Sequence, residues 1–293
     1  MAGEVSDGAG QQTDGRKCIR PEGSAMGPQR DVFDDLVLEG AWVDGLVDGL
    51  DDSQWETGTP APGWTVAHQI AHLTMVFSLA EKAAAAPRAF GAVIGGLKGS
   101  FDDAVQAGLL PYLGNGNAKL LDQWRAQRAA TERALSALPP ERIVPWLVRP
   151  IPAGVLAAAG MMELFAHGQD VADARGRAPE RTDRIRHVAG FVALTWDFGY
   201  RSRDLPVPER GLRFEVTGPS GAEWVFGEPE ADACVSGPAV DLCLLATRRR
   251  HRDDLALSAS GPVADQWLNI AQAYRGSAGP GRKPGQFTQR ARG

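Results

Sequence analysis

The chain has 293 residues, 43% of them hydrophobic and 23% charged, with a net charge of -5. That length and composition support a globular protein of one or two domains with an ordinary core. The acidic balance argues against a broad basic surface for nucleic acid, the glycines and prolines follow no period, and no apolar run approaches the ~18 residues of a membrane-spanning helix.

Residues 1–30 are rich in Gly, Ser, Gln and charge, with little to bury. They read as a disordered extension that lacks the apolar centre of a signal peptide. Met26 stands just before the first periodic segment, so the ordered chain is expected to begin near Asp31. Residues 31–50 place Phe33, Leu36, Trp42, Val43, Leu46 and Val47 at helical spacings. A Thr-Pro-Ala-Pro-Gly loop follows, and Thr65 is a candidate N-cap for a helix that ends before Pro87. Further helices are predicted around 101–110, over 119–138 up to Pro139-Pro140, over about 155–175 up to Gly176, and within 181–200. Helices of this length suit an up-and-down bundle.

The pattern changes near Pro206. Residues 212–218 and 222–228 alternate with period two across Pro219-Ser220-Gly221, which predicts a β-hairpin. Two units of strand, Ser-Gly-Pro and helix follow at 232–250 and 255–274. Pro238 and Pro262 suit a first helical position, with Ser236 and Ser260 as candidate caps. The organisation predicted is therefore an extension over 1–30, a helical bundle over 31–205, a small α+β domain over 206–276 and a flexible Gly/Pro/Arg-rich tail over 277–293. Cys18, Cys234 and Cys243 are scattered without a C-x-x-C, which fits a reducing cytoplasm and neither a disulfide scaffold nor a zinc finger.

Of five histidines, four fall in the helical part. Glu163 and His167 are four apart and so share a helix face, which Asp170 continues. His68 and His72 are also four apart, and His72 falls on the more apolar stripe. Bundles build metal sites from imidazoles and carboxylates on facing helices. His72 with Glu163 and His167 makes a His₂Glu set, the ligand class of catalytic zinc with positions left for water or substrate. Asp170 is a candidate to orient His167 from behind. An E-x-x-x-H pair read alone is more often a surface ion pair than a ligand set.

The segments TPAPGWTVAHQIAHL (59–73), MELFAHGQDVADARG (162–176), VSGPAVDLCLLATRRRH (235–251) and SASGPVADQWLNIAQAYRGSAGPGR (258–282) carry a resemblance. Together they make the chain similar to the mycothiol-dependent maleylpyruvate isomerase family, within the DinB/YfiT-like metal-binding four-helix bundles. The likeness covers about residues 31–282. It implies a mainly α fold, a DinB-like up-and-down four-helix bundle followed by a small α+β domain. It implies a divalent metal, zinc by default, on His72, Glu163 and His167, with mycothiol as a thiol cosubstrate. It also implies a functional arginine at the end of a helix in the C-terminal part. Arg249 is its best counterpart among Arg248, Arg249 and Arg250, which read equally as solvated charges at a helix end. His68 is then placed behind the ligands or at the surface, and Trp64 at the site mouth. Phe77 stands where the pattern often has an acidic residue, and the stretch before Glu163, VRPIPAGVLAAAG, lacks the polar residues expected there. The first departure implies a more apolar pocket, and the second an unusual substrate with the metal ligands kept. The implied activity is metal-dependent isomerisation or S-transfer on a small electrophilic metabolite. The alternatives are a thiol-independent hydrolase, lyase or cyclase, or a non-catalytic binding protein. The partner expected is a small molecule rather than nucleic acid or membrane, on a monomer or homodimer.

Overall fold

The computed structural model describes residues 31–287. The expectations for residues 1–30, including Cys18, and for 288–293 fall outside the described residues. Helix α1 (Val32–Val47) begins at Asp31, whose carboxylate accepts the Phe33 N–H at 2.8 Å. The Pro/Gly loop holds one short helix, α2 (Asp52–Trp55). Then come α3 (Val66–Ala85), α4 (Pro87–Gly95), α5 (Phe101–Leu113) and α6 (Asn117–Ser136). A two-stranded ribbon, β1 (Ile143–Val144) and β2 (Ile151–Pro152), leads into α7 (Ala153–Ala174). Helices α1, α3, α6 and α7 form the bundle: α3 packs on α6 and α7, and α1 on α7 and α6.

The sequence marks α7 as the central element. From Leu164 to Asp173 every residue is buried, and a helix buried all round sits among its neighbours rather than at an edge. Gly168 permits the closest approach. A Cβ there would collide with the Trp42 ring, so its absence lets α1 lie directly against α7 beside His167.

The single helix predicted within 181–200 is broken. A one-turn 3-10 helix (Asp183–Ile185) precedes α8 (Arg186–Leu194), and α9 (Phe198–Arg201) follows a turn. The break has local causes. The Thr195 hydroxyl donates to the Phe191 carbonyl at 2.8 Å, and the Trp196 carbonyl accepts the Trp267 indole N–H at 2.9 Å.

The predicted hairpin is β3 (Arg213–Thr217) and β4 (Glu223–Gly227). Then come β5 (Cys234–Pro238), α10 (Ala239–Ala246), β6 (Ser258–Ser260) and α11 (Pro262–Ile270). The sheet order is β4-β3-β5-β6, with β3 and β5 parallel and the other pairs antiparallel. Phe214 and Val216 point inward from β3, and Phe214 meets Trp267 edge-on at 5.1 Å. Pro262 opens its helix as expected, whereas Pro238 closes β5 one residue before α10 begins. Ser236 and Ser260 lie in strands and cap nothing, because the sheet ladder claims their backbone. The hairpin tip is tied to the bundle side: Ser220 N–H and hydroxyl both donate to the Asp183 carboxylate.

The chain after α11 differs from the frayed tail that its composition suggests. Gly279 accepts from Arg248, Arg282 donates to Asp170, the Gly285 N–H donates to Asp254, and Phe287 lies under the Arg250 guanidinium at 3.8 Å. Specific charged and aromatic partners seat this glycine-rich segment where composition alone predicts fraying. No described helix is long and apolar enough to cross a membrane.

Candidate metal centre

Helix α3 contributes His72 and α7 contributes Glu163 and His167. The four-residue spacing puts the last two one turn apart on the face that meets α3. The two imidazoles converge on one carboxylate oxygen. Glu163 Oε2 lies 3.5 Å from His72 Nε2 and 3.2 Å from His167 Nε2, and one ligand atom from each residue lies within 4.8 Å of the others. Metal–ligand bonds of 2.0–2.2 Å in a tetrahedron put neighbouring ligand atoms about 3.4 Å apart. The two separations from Glu163 Oε2 match that spacing.

Hydrogen bonding behind His167 decides which nitrogen is available. The Thr59 hydroxyl donates to the Trp64 carbonyl at 2.9 Å, and Gln69 Nε2 donates to Thr59 Oγ1 at 2.8 Å. The Gln69 carbonyl oxygen is thereby left as an acceptor, 2.5 Å from His167 Nδ1. The network therefore assigns the proton to Nδ1 and leaves a bare lone pair on Nε2, facing a carboxylate. Two acceptors at 3.2 Å repel unless a cation lies between them, so the donor set fits a divalent metal.

Electrostatics agree. Burial, then the neighbouring charges of His72 and Arg249, push His167 down to about 4 against the opposing pull of Glu163, so the imidazole is neutral at physiological pH. Burial alone would raise the Glu163 carboxyl, but the two imidazoles beside it outweigh that and hold the group ionised, well below the usual carboxylate range. A neutral imidazole and an ionised carboxylate are the ligating forms.

Two residues predicted to stand behind the ligands do other things. Asp170, fully buried, accepts Arg249 Nε at 3.1 Å and Nη2 at 3.0 Å on one oxygen, and Arg282 Nη2 at 2.6 Å on the other. It braces the C-terminal part, and the group behind His167 is Gln69. His68 turns back to the start of its own helix, with Nδ1 accepting the Thr65 N–H at 3.3 Å and lying 2.9 Å from the Thr65 hydroxyl. No residue plays the part of Gln69 for His72, whose Nδ1 is buried without a partner among the described residues. Trp64 covers the ligands, its ring 5.4 Å from that of His72 and 5.9 Å from that of His167.

The three consecutive arginines point three ways because α10 ends in a tight reversal. Arg248 takes a left-handed backbone, φ +59°, and the N–H groups of Arg248 and Arg249 return to the carbonyls of Leu245 and Leu244. Arg248 then bonds Gly279, and Arg250 grips both oxygens of Asp173. Arg249 faces the cavity shared with His72, Glu163 and His167, held by Asp170 and by the Thr247 carbonyl. Sequence reasoning missed Gln69 and Arg282. Gln69 carries a weak signal, since it lies three residues before His72 and so on the same side of α3. Arg282 carries none, because a guanidinium in a Gly/Pro/Arg-rich tail looks solvated.

Residues 36–172 match the mycothiol maleylpyruvate isomerase N-terminal domain family. Two uncharacterised proteins from two strains of Mycobacterium tuberculosis are each 38% identical over 254 residues, spanning 85% of this chain and 96% of the relative. Among solved structures, a histidine-to-alanine mutant of a mycothiol-dependent maleylpyruvate isomerase shares the fold. It has a TM-score of 0.50 and 16% identity, and the match covers 78% of this chain and 91% of that one.

Proposed function

Residues 36–172 belong to the mycothiol maleylpyruvate isomerase N-terminal domain family, and from that premise we propose that the chain is a metal-dependent enzyme acting on a small electrophilic metabolite, with mycothiol assisting isomerisation or S-transfer. The observation that carries the reading is the convergence of two imidazole Nε2 atoms on one oxygen of Glu163, at 3.5 and 3.2 Å. His72, Glu163 and His167 would hold the ion. A divalent cation there supplies Lewis acidity, which lowers the pKa of a thiol or polarises a carbonyl. Zinc suits a His₂Glu set.

The chain's own groups do the rest. Gln69 keeps the His167 proton on Nδ1, so Nε2 is always ready to bind. Trp64 walls the ligands and reduces water access. Arg249 presents a fixed positive charge in the same cavity, where it pairs with a carboxylate on substrate or thiol; Asp170 and the Thr247 carbonyl keep it from swinging away.

The test is cobalt loading of the metal-stripped protein, followed by titration with mycothiol. About one ion per chain, absent from Glu163→Gln, together with a thiol-dependent change in the visible spectrum, is the expected result. No stoichiometric metal in the wild type overturns the metal centre. A spectrum indifferent to thiol overturns the thiol step and leaves metal chemistry on substrate alone.

A further inference from the structure

His72, Glu163 and His167 line part of a cavity of about 790 Å³. Its other walls come from the bundle interior, with Leu36 of α1, Phe77 of α3, Leu135 of α6, and Leu156, Ala159 and Met162 of α7. All six are buried among the helices, so they line an interior chamber rather than a surface dimple. Thr131, a polar side chain in this wall, donates its hydroxyl inward to backbone carbonyls of Phe77 and Gln127, at 2.8 and 2.9 Å. This part of the wall offers a guest little but carbon.

The mouth mixes exposed charged side chains, among them Asp102, Arg149, Arg201 and Arg275, with apolar ones. Val93, Leu97, Val148 and Leu194 are large hydrophobic side chains, 39, 48, 58 and 50% exposed, and all four border this one opening. Single exposed hydrophobics are ordinary, whereas a group of them around a cavity mouth marks a binding site. The volume falls within the range that encloses a drug-sized ligand. A small dicarboxylate would leave most of it unfilled, and a polar guest would give up water without recovering its hydrogen bonds.

We propose that the substrate of this enzyme has a large uncharged hydrocarbon body, alkyl or fused-ring, which lies in the chamber between α3, α6 and α7 while its reactive polar head meets His72, Glu163, His167 and Arg249. The proposal rests on the metal-centre reading for the head and on the chamber alone for the body. The small residues at the start of α7 are what keep the chamber open: Ala159 lies one turn before Glu163 on the same face, so its methyl marks the passage from the metal ligands to the apolar wall.

The test separates the two parts. A neutral apolar fluorophore, N-phenylnaphthylamine, is bound to the full chain and displaced by hexanol, octanol, decanol and dodecanol. Affinity should climb by up to about fourfold per added CH₂ until the chamber is full. Ala159→Phe should shorten the preferred alcohol and weaken dodecanol at least tenfold. Val155→Phe, at a half-buried position in the same wall, should do likewise and serves if the first variant does not fold. His167→Ala should keep the chain-length dependence while losing the metal. Affinity that is flat with chain length, or unchanged in a folded chamber variant, overturns the proposal even if metal loads normally. No stoichiometric metal in the wild type, with its chain-length series intact, overturns the metal reading alone.

Discussion

The two halves of α7 face the same cavity and could hardly differ more. From Ala153 to Gly160 the helix is built of Ala, Gly, Val and Leu, and its contribution is the space it leaves. From Glu163 to Asp173 it carries five polar residues, Glu163, His167, Gln169, Asp170 and Asp173, all but the first of them buried. Each is matched to a partner from elsewhere: His72 and Gln69 from α3, Arg181 from the loop after α7, Arg249 and Arg250 from the end of α10, and Arg282 from the tail. One half tolerates emptiness because its walls are apolar. The other tolerates no missing partner, because a buried charge left alone is costly.

That contrast predicts how each half fails. The largest effect is expected at Asp170. Asp170→Ala strands two buried guanidiniums and should cost about 3–5 kcal/mol. Chemical denaturation should show the loss, together with release of the C-terminal segment to proteolysis near Arg282. A loss below about 1 kcal/mol would mean that the brace is not the anchor described above.

Acid should act on the same half. His167 titrates near 4 in the folded protein, against 6.5 for an ordinary histidine. Between those values the unfolded chain binds more protons, so stability is full above about pH 6.5 and falls as the pH drops toward 4. The loss reaches about 3 kcal/mol in metal-free protein. Urea midpoints across that window should show the slope, and His167→Gln should remove most of it.

A smaller change is expected at Gln69. Gln69→Ala keeps all three ligands but frees the His167 ring and its tautomer, so zinc affinity should fall about 10–100-fold while stoichiometry at saturation is unchanged. Competition with a chelator measures this. An affinity equal to the wild type would show that Gln69 does not position the ligand.

The smallest effect belongs to the apolar half. Val155→Leu adds one CH₂ beside open space and should change stability by less than about 1 kcal/mol, toward stabilisation. Thermal unfolding of this variant beside Asp170→Ala gives the comparison its sharpest form.

Local patterns in the sequence were enough for most of the helices, for the hairpin and for the shared face of Glu163 and His167; grouping these two with His72 as candidate ligands drew on the family resemblance as well. Helical period, caps and proline stops act over a few residues, and the four-residue step from Glu163 to His167 forces a shared face wherever the helix lies. The same arithmetic could not tell which neighbours those faces would meet. Reading along α3 favours His68, one turn from His72, as the residue behind the ligands. The crossing of α7 over α3 selects Gln69 instead, and His68 is left to the start of its own helix. Asp170 lies on the ligand face of α7, yet its partners are more than seventy residues away in sequence. The break between α8 and α9, the reversal that turns Arg249 toward the cavity, the seating of Arg282 and the chamber itself all arise where distant segments compete for one buried group or fail to fill one space. Such contests are settled by packing and desolvation in three dimensions, and they leave no period in the chain.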